Sequence, residues 1–361
     1  MLNLLRSVIS SLKKRDEGPS SPYAFAGLAL IVCGIGLTAP TFRDALLSYI
    51  NRALNTGLSL DAPWWIGPPI IALGFSLLIM SFIESRADSH KCQFVAIRHQ
   101  SFQPLTGTLP VEALPKRMRR RKVQHYQCDQ SNFLSGGNVD PEGAVRQQER
   151  LATHISGVRL SDPDTAFGYY GIVHIPLQFL AGCSVSTYPE VALFELNRND
   201  NKWYELQRDH GPDLKPSLTR TLDPQQPSAV VIRISVSYPV SAIEPSKIIA
   251  GPYREYELSV SRPGVDKVSH YQHVNDMCRL FRESLDEIHN QLDSRLHVHI
   301  FYAGPVSLGF SLGRQISRTI HNRVLVYNYT SQTSPAYRWG IDVTRDNPPQ
   351  AMVVRTTLLG P

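Results

Sequence analysis

The sequence predicts two transmembrane helices at its start, followed by a cytoplasmic α/β domain. Three observations lead there. Two long uncharged apolar runs lie within the first ninety residues. The basic residues flanking them are asymmetric. A helix–strand–turn–helix–strand series occupies residues 269–329. The corresponding division is 1–89 for the helical segment and 90–361 for the α/β domain.

Residues 18–42 carry no charge, and their core, Tyr23 to Ala39, reads YAFAGLALIVCGIGLTA between Pro22 and Pro40. Seventeen residues is the lower end for a spanning helix. The second run, Trp64 to Ile83, opens on a Trp pair of the kind found at membrane interfaces. A buried hairpin, a partial re-entry and, for the first run, a cleaved leader are the alternatives. Arg6, Lys13, Lys14 and Arg15 precede the first run, and Arg86, Lys91 and Arg98 follow the second. Between the runs, Arg43 and Arg52 are balanced by Asp44 and Asp61. The bias toward basic residues on the cytoplasmic side places both termini in the cytoplasm. Neither run contains an ionisable group of the sort that marks an ion pathway. Small residues at Ala24, Gly27, Gly34, Gly36 and Gly74 suit close helix packing against other copies.

The rest of the 361-residue chain is long enough for more than one core. Five cysteines, widely spaced and without a CxxC pair, argue against a zinc site or a disulfide framework. Phe94 to Ile97 reads as a strand opening into the polar RHQS. Residues 116–122, KRMRRRK, hold six basic residues in seven, a patch for anionic lipid or nucleic acid, or simply a solvated charge run. Residues 129–148 are polar and read as a loop or insertion. Aromatic and β-branched runs across 166–207, and VVIRISV at 230–236, read as strands, the latter ended by Pro239.

From 269 to 292, Val274, Met277, Cys278, Phe281, Leu285, Ile288 and Leu292 recur at helical spacing. Leu296 to Tyr302 then reads as a strand, Ala303–Gly304–Pro305 as a turn, Ser307 to His321 as a helix and Arg323 to Tyr329 as a strand, the pattern of a parallel α/β sheet. A turn at the carboxyl end of such a strand opens onto the ligand crevice. Gly304 allows close backbone approach, the helix start offers free N–H groups, Ser307 a hydroxyl and Arg314 a charge. Tyr327 and Tyr329 offer rings for base stacking. Alternatively, Gly304 and Gly313 pack helix on sheet and the tyrosines are core. No GxGxxG, P-loop, HExxH or GxSxG motif is present, and the pair His297/His299 lacks a third metal ligand.

These segments carry a family resemblance. HIFYAGPVSLGFSLGR with RVLVYNY, and upstream YYGIVHIPLQFLAG with FELN and KWYEL, resemble the SAVED domain of bacterial anti-phage (CBASS) systems over roughly residues 90–355. The resemblance implies two fused CARF-like, Rossmann-type units, with Phe94–Ser101 belonging to one and Leu296–Arg314 to the other. It implies a cyclic di- or trinucleotide ligand supplied by a CD-NTase-type nucleotidyltransferase, with no cofactor, metal or catalytic residue. The expected ligand face comprises His99, Gln100, Ser101, Gly304, Pro305, Ser307, Arg314, Tyr327, Tyr329 and Tyr337. With two spanning helices, the family's transmembrane effector form is implied: ligand-induced homo-oligomers that disrupt the inner-membrane bilayer and abort infection. Direct binding of DNA or RNA polymers is not expected. A membrane-tethered enzyme acting on cyclic nucleotides is the alternative function.

Overall fold

The computed structural model describes residues 22–38, 44, 48–49, 51–52, 64–91, 93–103, 107–119, 121–135, 139–186, 190–197, 200–221, 223–331, 333–345 and 349–356. The chain divides into two units, Met1–Lys91 and Cys92–Pro361.

In the first unit, helix α1 (Pro22–Thr38) and helix α2 (Gly67–Lys91) pair through glycines. A methyl built on Gly27 would sit 2.8 Å from the Gly74 carbonyl oxygen, and one on Gly67 would sit 2.7 Å from that of Gly34. These glycines therefore bring together two helices of one chain. Their outward side chains, among them Phe25, Phe75 and Ile79, are apolar and exposed.

Among the described residues no helix is long and apolar enough to cross a membrane. The 17 residues of α1 reach only about 26 Å at ~1.5 Å per residue, short of the roughly 30 Å of a hydrocarbon core. Helix α2 has 25 residues, but its last third reads ESRADSHK. The expectation of two transmembrane helices is thus corrected. With it fall the multi-pass inner-membrane location with cytoplasmic termini, the lipid bilayer as partner, and the ligand-induced oligomer that breaches a bilayer. Most of the basic residues invoked for orientation lie at 6–15, outside the described residues.

The second unit repeats one topology twice. The first half comprises β1 (Gln93–Gln100), β2 (Lys122–Asp129), α3 (Ser131–Leu134), α4 (Pro141–Ser161), β3 (Ala166–Ile172), α5 (Ile175–Ser184), β4 (Val191–Asn197) and β5 (Lys202–Glu205). Its sheet runs β2-β1-β3-β4-β5, parallel except for β4–β5. The second half comprises β6 (Pro216–Arg220), β7 (Ala229–Ser235), β8 (Tyr253–Val260), α6 (Tyr271–Gln291), β9 (Val298–Ala303), α7 (Val306–Gly313), β10 (Val324–Asn328), β11 (Trp339–Asp342), α8 (Pro349–Met352) and β12 (Val353–Arg355). Its sheet runs β12-β11-β10-β9-β7-β8-β6. Without the flanking β6 and β12, the order β8-β7-β9-β10-β11 matches the first sheet strand for strand. Each half also has a 3-10 turn between its first two core strands.

As expected, residues 94–101 fall in one half and 296–314 in the other, though at different places in the repeat. Residues 94–101 correspond to β7, and the β9–α7 unit corresponds to β3–α5. Two readings also change. The polar stretch 129–148 contains α3 and the start of α4, where Asp140 caps through Gly143 N at 2.9 Å. There Ala144, Gln148, Leu151 and Ile155 supply a buried stripe at helical spacing. The helix after β9 ends at Gly313, well before His321.

Helices α4 to α7 and one face of each sheet share a single apolar core. Full burial of a side chain such as Phe281 or Leu285 there stabilises by about 1.5–3 kcal/mol. The opposite face of each sheet has its own smaller core, around Phe94, Tyr170 and Trp203 in the first half and around Val231, Phe301 and Tyr327 in the second. At the junction the halves exchange contacts reciprocally. Tyr169 of β3 stacks on Phe310 of α7 at 3.9 Å, and Tyr302 of β9 meets Phe179 of α5 edge-on at 5.3 Å. Gly182 faces the Phe310 carbonyl, and Gly313 faces the Phe179 carbonyl.

The basic run is tied into the fold. Arg117 pairs with Glu205 at 3.2 Å, Arg119 Nε donates to the Leu114 carbonyl at 2.7 Å, and Arg121 donates to the Asp164 carbonyl at 2.8 Å. Cys128, Cys183 and Cys278 are buried free thiols, and Cys33 is exposed.

Candidate functional site

The junction opens into a cleft of about 1010 Å³. The sequence places it there because several parallel strands end at this point. From the first half come Gly171 and Ile172 at the end of β3, Glu195 and Leu196 near the end of β4, and Tyr204 of β5. From the second come Ser237 to Ser241 after β7, Ala303 to Val306 after β9, and Tyr329 after β10. Carboxyl ends of parallel strands are where open α/β sheets bind ligands. Gly171 has φ +152°, and a side chain there would run into the His99 carbonyl on the neighbouring strand.

The turn after β9 is rigid. Tyr302 OH donates to the Pro305 carbonyl at 2.7 Å, and a methyl on Gly304 would lie 2.6 Å from Tyr302 Cζ. Pro305 caps α7 in an extended conformation, which leaves the next N–H groups facing out of the helix. Ser307 N donates to Glu195 Oε1 of the first half at 2.7 Å. The ring pair Tyr329 and Tyr337, with centroids 5.3 Å apart, forms another part of the wall. Tyr329 is half exposed. Burial pushes the Tyr204 phenol up to about 12, and the charges of Glu195 and Asp266 add to the shift.

Of the ten expected site residues, Gly304, Pro305, Tyr329 and Tyr337 line the cleft. The other six are not among the cleft-lining residues. His99 is fully buried, with Nδ1 2.7 Å from Tyr169 OH and Nε2 2.8 Å from Gln130 Oε1. Burial lowers its pKa to about 4, so it stays neutral. Gln100 is buried and donates to the Phe102 carbonyl at 3.2 Å. Ser101 Oγ accepts from His174 N at 2.8 Å and lies 2.6 Å from His174 Nδ1. Tyr327 is buried on the outer face of its sheet, its hydroxyl 2.8 Å from His299 Nδ1. Ser307 presents its N–H to Glu195, but its side chain is buried and Oγ has no partner. Arg314 follows the last turn of α7, and burial lowers its pKa. His297 and His299 belong to no metal-ligating group, and among the described residues no cluster of three or more His, Cys, Asp or Glu could hold a metal ion.

The cleft also contains residues that the sequence reading left out: Glu195, Tyr204, Tyr238, Glu244 and Asp266. Glu195 interrupts an otherwise apolar strand, VALFELN, and Tyr238 follows the buried strand VVIRISV. An ionisable or aromatic residue at the carboxyl end of a buried strand was the available signal.

This combination, a duplicated Rossmann-type core with one cleft at the strand ends, is that of a ligand-sensing α/β domain. Residues 148–343 match the SAVED family, described as the SMODS-associated and fused to various effectors sensor domain. The match covers more than half of the chain, and the chain belongs to this family. Solved structures of similar fold include the Acinetobacter baumannii Cap4 SAVED/CARF-domain containing receptor with the cyclic trinucleotide 2'3'3'-cAAA. It has 13% identity and a TM-score of 0.45 over 82% of this chain and 64% of that chain. The same receptor with 3'3'3'-cAAA gives 13% identity and a TM-score of 0.45, covering 82% and 65%. The Moraxella osloensis Cap4 receptor gives 11% and 0.41, covering 80% and 62%. The chain therefore spans less than two thirds of the length of these receptors. No curated protein matches it.

Proposed function

We propose that the domain is a sensor of a cyclic oligonucleotide, a cyclic di- or trinucleotide, which it binds in the junction cleft without turnover. The observation that carries this reading is the cleft itself. It joins the carboxyl ends of two duplicated parallel sheets, and its volume of about 1010 Å³ is at the top of the ~300–1,000 Å³ range of small-molecule sites. Membership of a family of sensor domains supports it. The chemistry suits nucleotides. Tyr329 and Tyr238 are exposed rings on which bases can stack, and Ser237, Ser241 and Asn201 offer polar groups to ribose and base edges. A ligand of this kind is made by a nucleotidyltransferase that joins and cyclises nucleoside monophosphate units.

The test is calorimetric titration of the full chain with a panel of cyclic di- and trinucleotides, followed by chromatographic analysis of the recovered ligand. Saturable binding with the ring intact is expected. Recovery of a linear product would replace the sensor with an enzyme, and no binding across the panel would overturn the ligand class.

A further inference from the structure

The two halves are alike in topology but differ at the starts of their equivalent helices. In α5 the second residue is Pro176, which has no N–H to offer. In α7 the second residue is Ser307, whose N–H points across the junction to Glu195. An aromatic cover adds to the difference, because Phe102 stacks on His174, the residue preceding α5, at 3.9 Å. Both helix starts reach the cleft, through Ile175 and Val306, but at the second position only α7 has an N–H to give, and there a carboxylate of the cleft wall already occupies the place an anion would take.

Glu195 reaches this position from the opposite half. It lies 112 residues away in sequence, on β4, and it lines the cleft wall beside Tyr204. Its charge is felt by three phenols. Tyr169, Tyr302 and Tyr204 are all pushed up, chiefly by burial and further by Glu195. The residue it caps also carries one of the domain's unpartnered buried hydroxyls, Ser307 Oγ, at 1% exposure. Hence the α7 start has donor capacity beyond what the protein uses. A carboxylate at a helix N-terminus is favourable for the same reason that a phosphate is, namely aligned N–H dipoles and a partial positive charge.

We propose that Glu195 is a ligand-selecting residue. Its carboxylate holds the anion position at the start of α7 in the empty cleft, and a phosphodiester of the ligand must displace it from Ser307 N. This rests on the reading of the cleft as a cyclic-oligonucleotide site. The carboxylate acts as an internal competitor. It raises the threshold for binding and rejects ligands whose phosphates cannot reach α7. Because Glu195 belongs to one half and Ser307 to the other, displacement also breaks a hydrogen bond that links the halves. Occupancy is thereby coupled to their relative position.

The experiment compares the full-length parent with Glu195→Gln and Glu195→Ala in two arms. In the first, cyclic triadenylate is titrated calorimetrically. Removing the charge should tighten binding by ~2–5-fold, the size of a typical charge–helix-terminus interaction. In the second, inorganic phosphate is added to protein labelled with ¹⁵N-serine, and the Ser307 amide resonance is followed. Phosphate should shift that resonance in both variants but not in the parent. Weaker binding of cyclic triadenylate to Glu195→Gln would overturn the proposal, because it would make the carboxylate a direct ligand contact. An equal phosphate shift in parent and variants, or no shift in any of them, would also overturn it. If cyclic triadenylate binds none of the proteins, the assigned ligand fails, and the phosphate arm still decides the role of Glu195.

Discussion

The crossing of α5 and α7 sets the cleft, and substituting either glycine there should be costly. At Gly182 a methyl would overlap the Phe310 carbonyl oxygen, with Arg314 N at 2.9 Å and Gly313 Cα at 3.0 Å. At Gly313 it would overlap the Phe179 carbonyl oxygen, with Phe179 C at 2.8 Å and Cα at 2.9 Å. Every one of these neighbours is backbone, so no side chain can swing aside and the helices themselves must part. Over-packing of this kind costs about 1–3 kcal/mol. The better helix propensity of alanine returns up to ~1 kcal/mol. Gly182→Ala and Gly313→Ala should therefore each destabilise by roughly 1–2 kcal/mol. Gly157 is the internal control. It lies in α4 with nothing within 4 Å of its built methyl, so Gly157→Ala should stabilise by about 0.5–1 kcal/mol. The assay is urea unfolding of the full chain, reading the midpoint at unchanged slope. The double variant should cost less than the sum of the singles, because helices parted by one methyl have room for the second. A Gly182→Ala midpoint equal to or above the parent's would refute the reasoning.

Three further outcomes follow from the same structure. Tyr329→Ala removes a half-exposed ring from the cleft wall and should weaken cyclic trinucleotide binding by ~1–3 kcal/mol, with unfolding unchanged; unaltered affinity would place base stacking elsewhere. Arg233 is buried on β7, pairs with Glu255 and Glu257 and donates to the Val240 carbonyl beside the cleft. Arg233→Met should cost on the order of 2–3 kcal/mol, less than the ~3–5 of a fully buried pair because Glu257 is 36% exposed, and an unchanged melting temperature would contradict it. Burial lowers His99, His174 and His299 to about 4, so these imidazoles resist protons that the unfolded chain accepts near 6.5. Their contribution to stability is complete above about pH 6.5 and lost as pH falls toward 4, by up to ~1.4 kcal/mol per unit for each imidazole; equal urea midpoints at pH 7.5 and pH 5 would exclude it.

What the sequence revealed was set by periodicity. Helix α6 was legible because six of its apolar residues repeat at helical spacing and are buried in the structure. Strands β7 and β9 were legible as short β-branched and aromatic runs. Helix α4 was hidden because its buried stripe includes Ala144 and Gln148 among charged residues, so composition suggested a loop. In the N-terminal unit, run length alone suggested membrane spans. The helices that form are shorter or end in charge, and their glycines serve each other. The lining of the candidate cleft was legible in part. The glycine–proline turn and Tyr329 stand next to a readable strand, whereas Glu195 and Tyr204 meet across two strands whose pairing the sequence does not show. Polar residues such as His99 and Ser101 gave a misleading signal. A strand end rich in hydrogen-bonding groups suggests ligand contact, yet here those groups satisfy one another within the core.

Duplication bears on how the junction cleft is built. Each half brings a strand end and a helix start to the junction, and a symmetric pair would offer two equivalent anion positions. In the first, Pro176 stands where Ser307 stands in the other half and removes that N–H, while Ile175 before it still lines the cleft. Phe102 stacks on His174, the residue before this helix. The second is kept and covered by a carboxylate borrowed from the first half. The shared aromatic and glycine contacts have stayed reciprocal, since both halves need them to pack. The two helix starts differ in the groups they bring toward the cleft, Pro176 in one half and Ser307 with Glu195 in the other, and that difference alters what the cleft can hold.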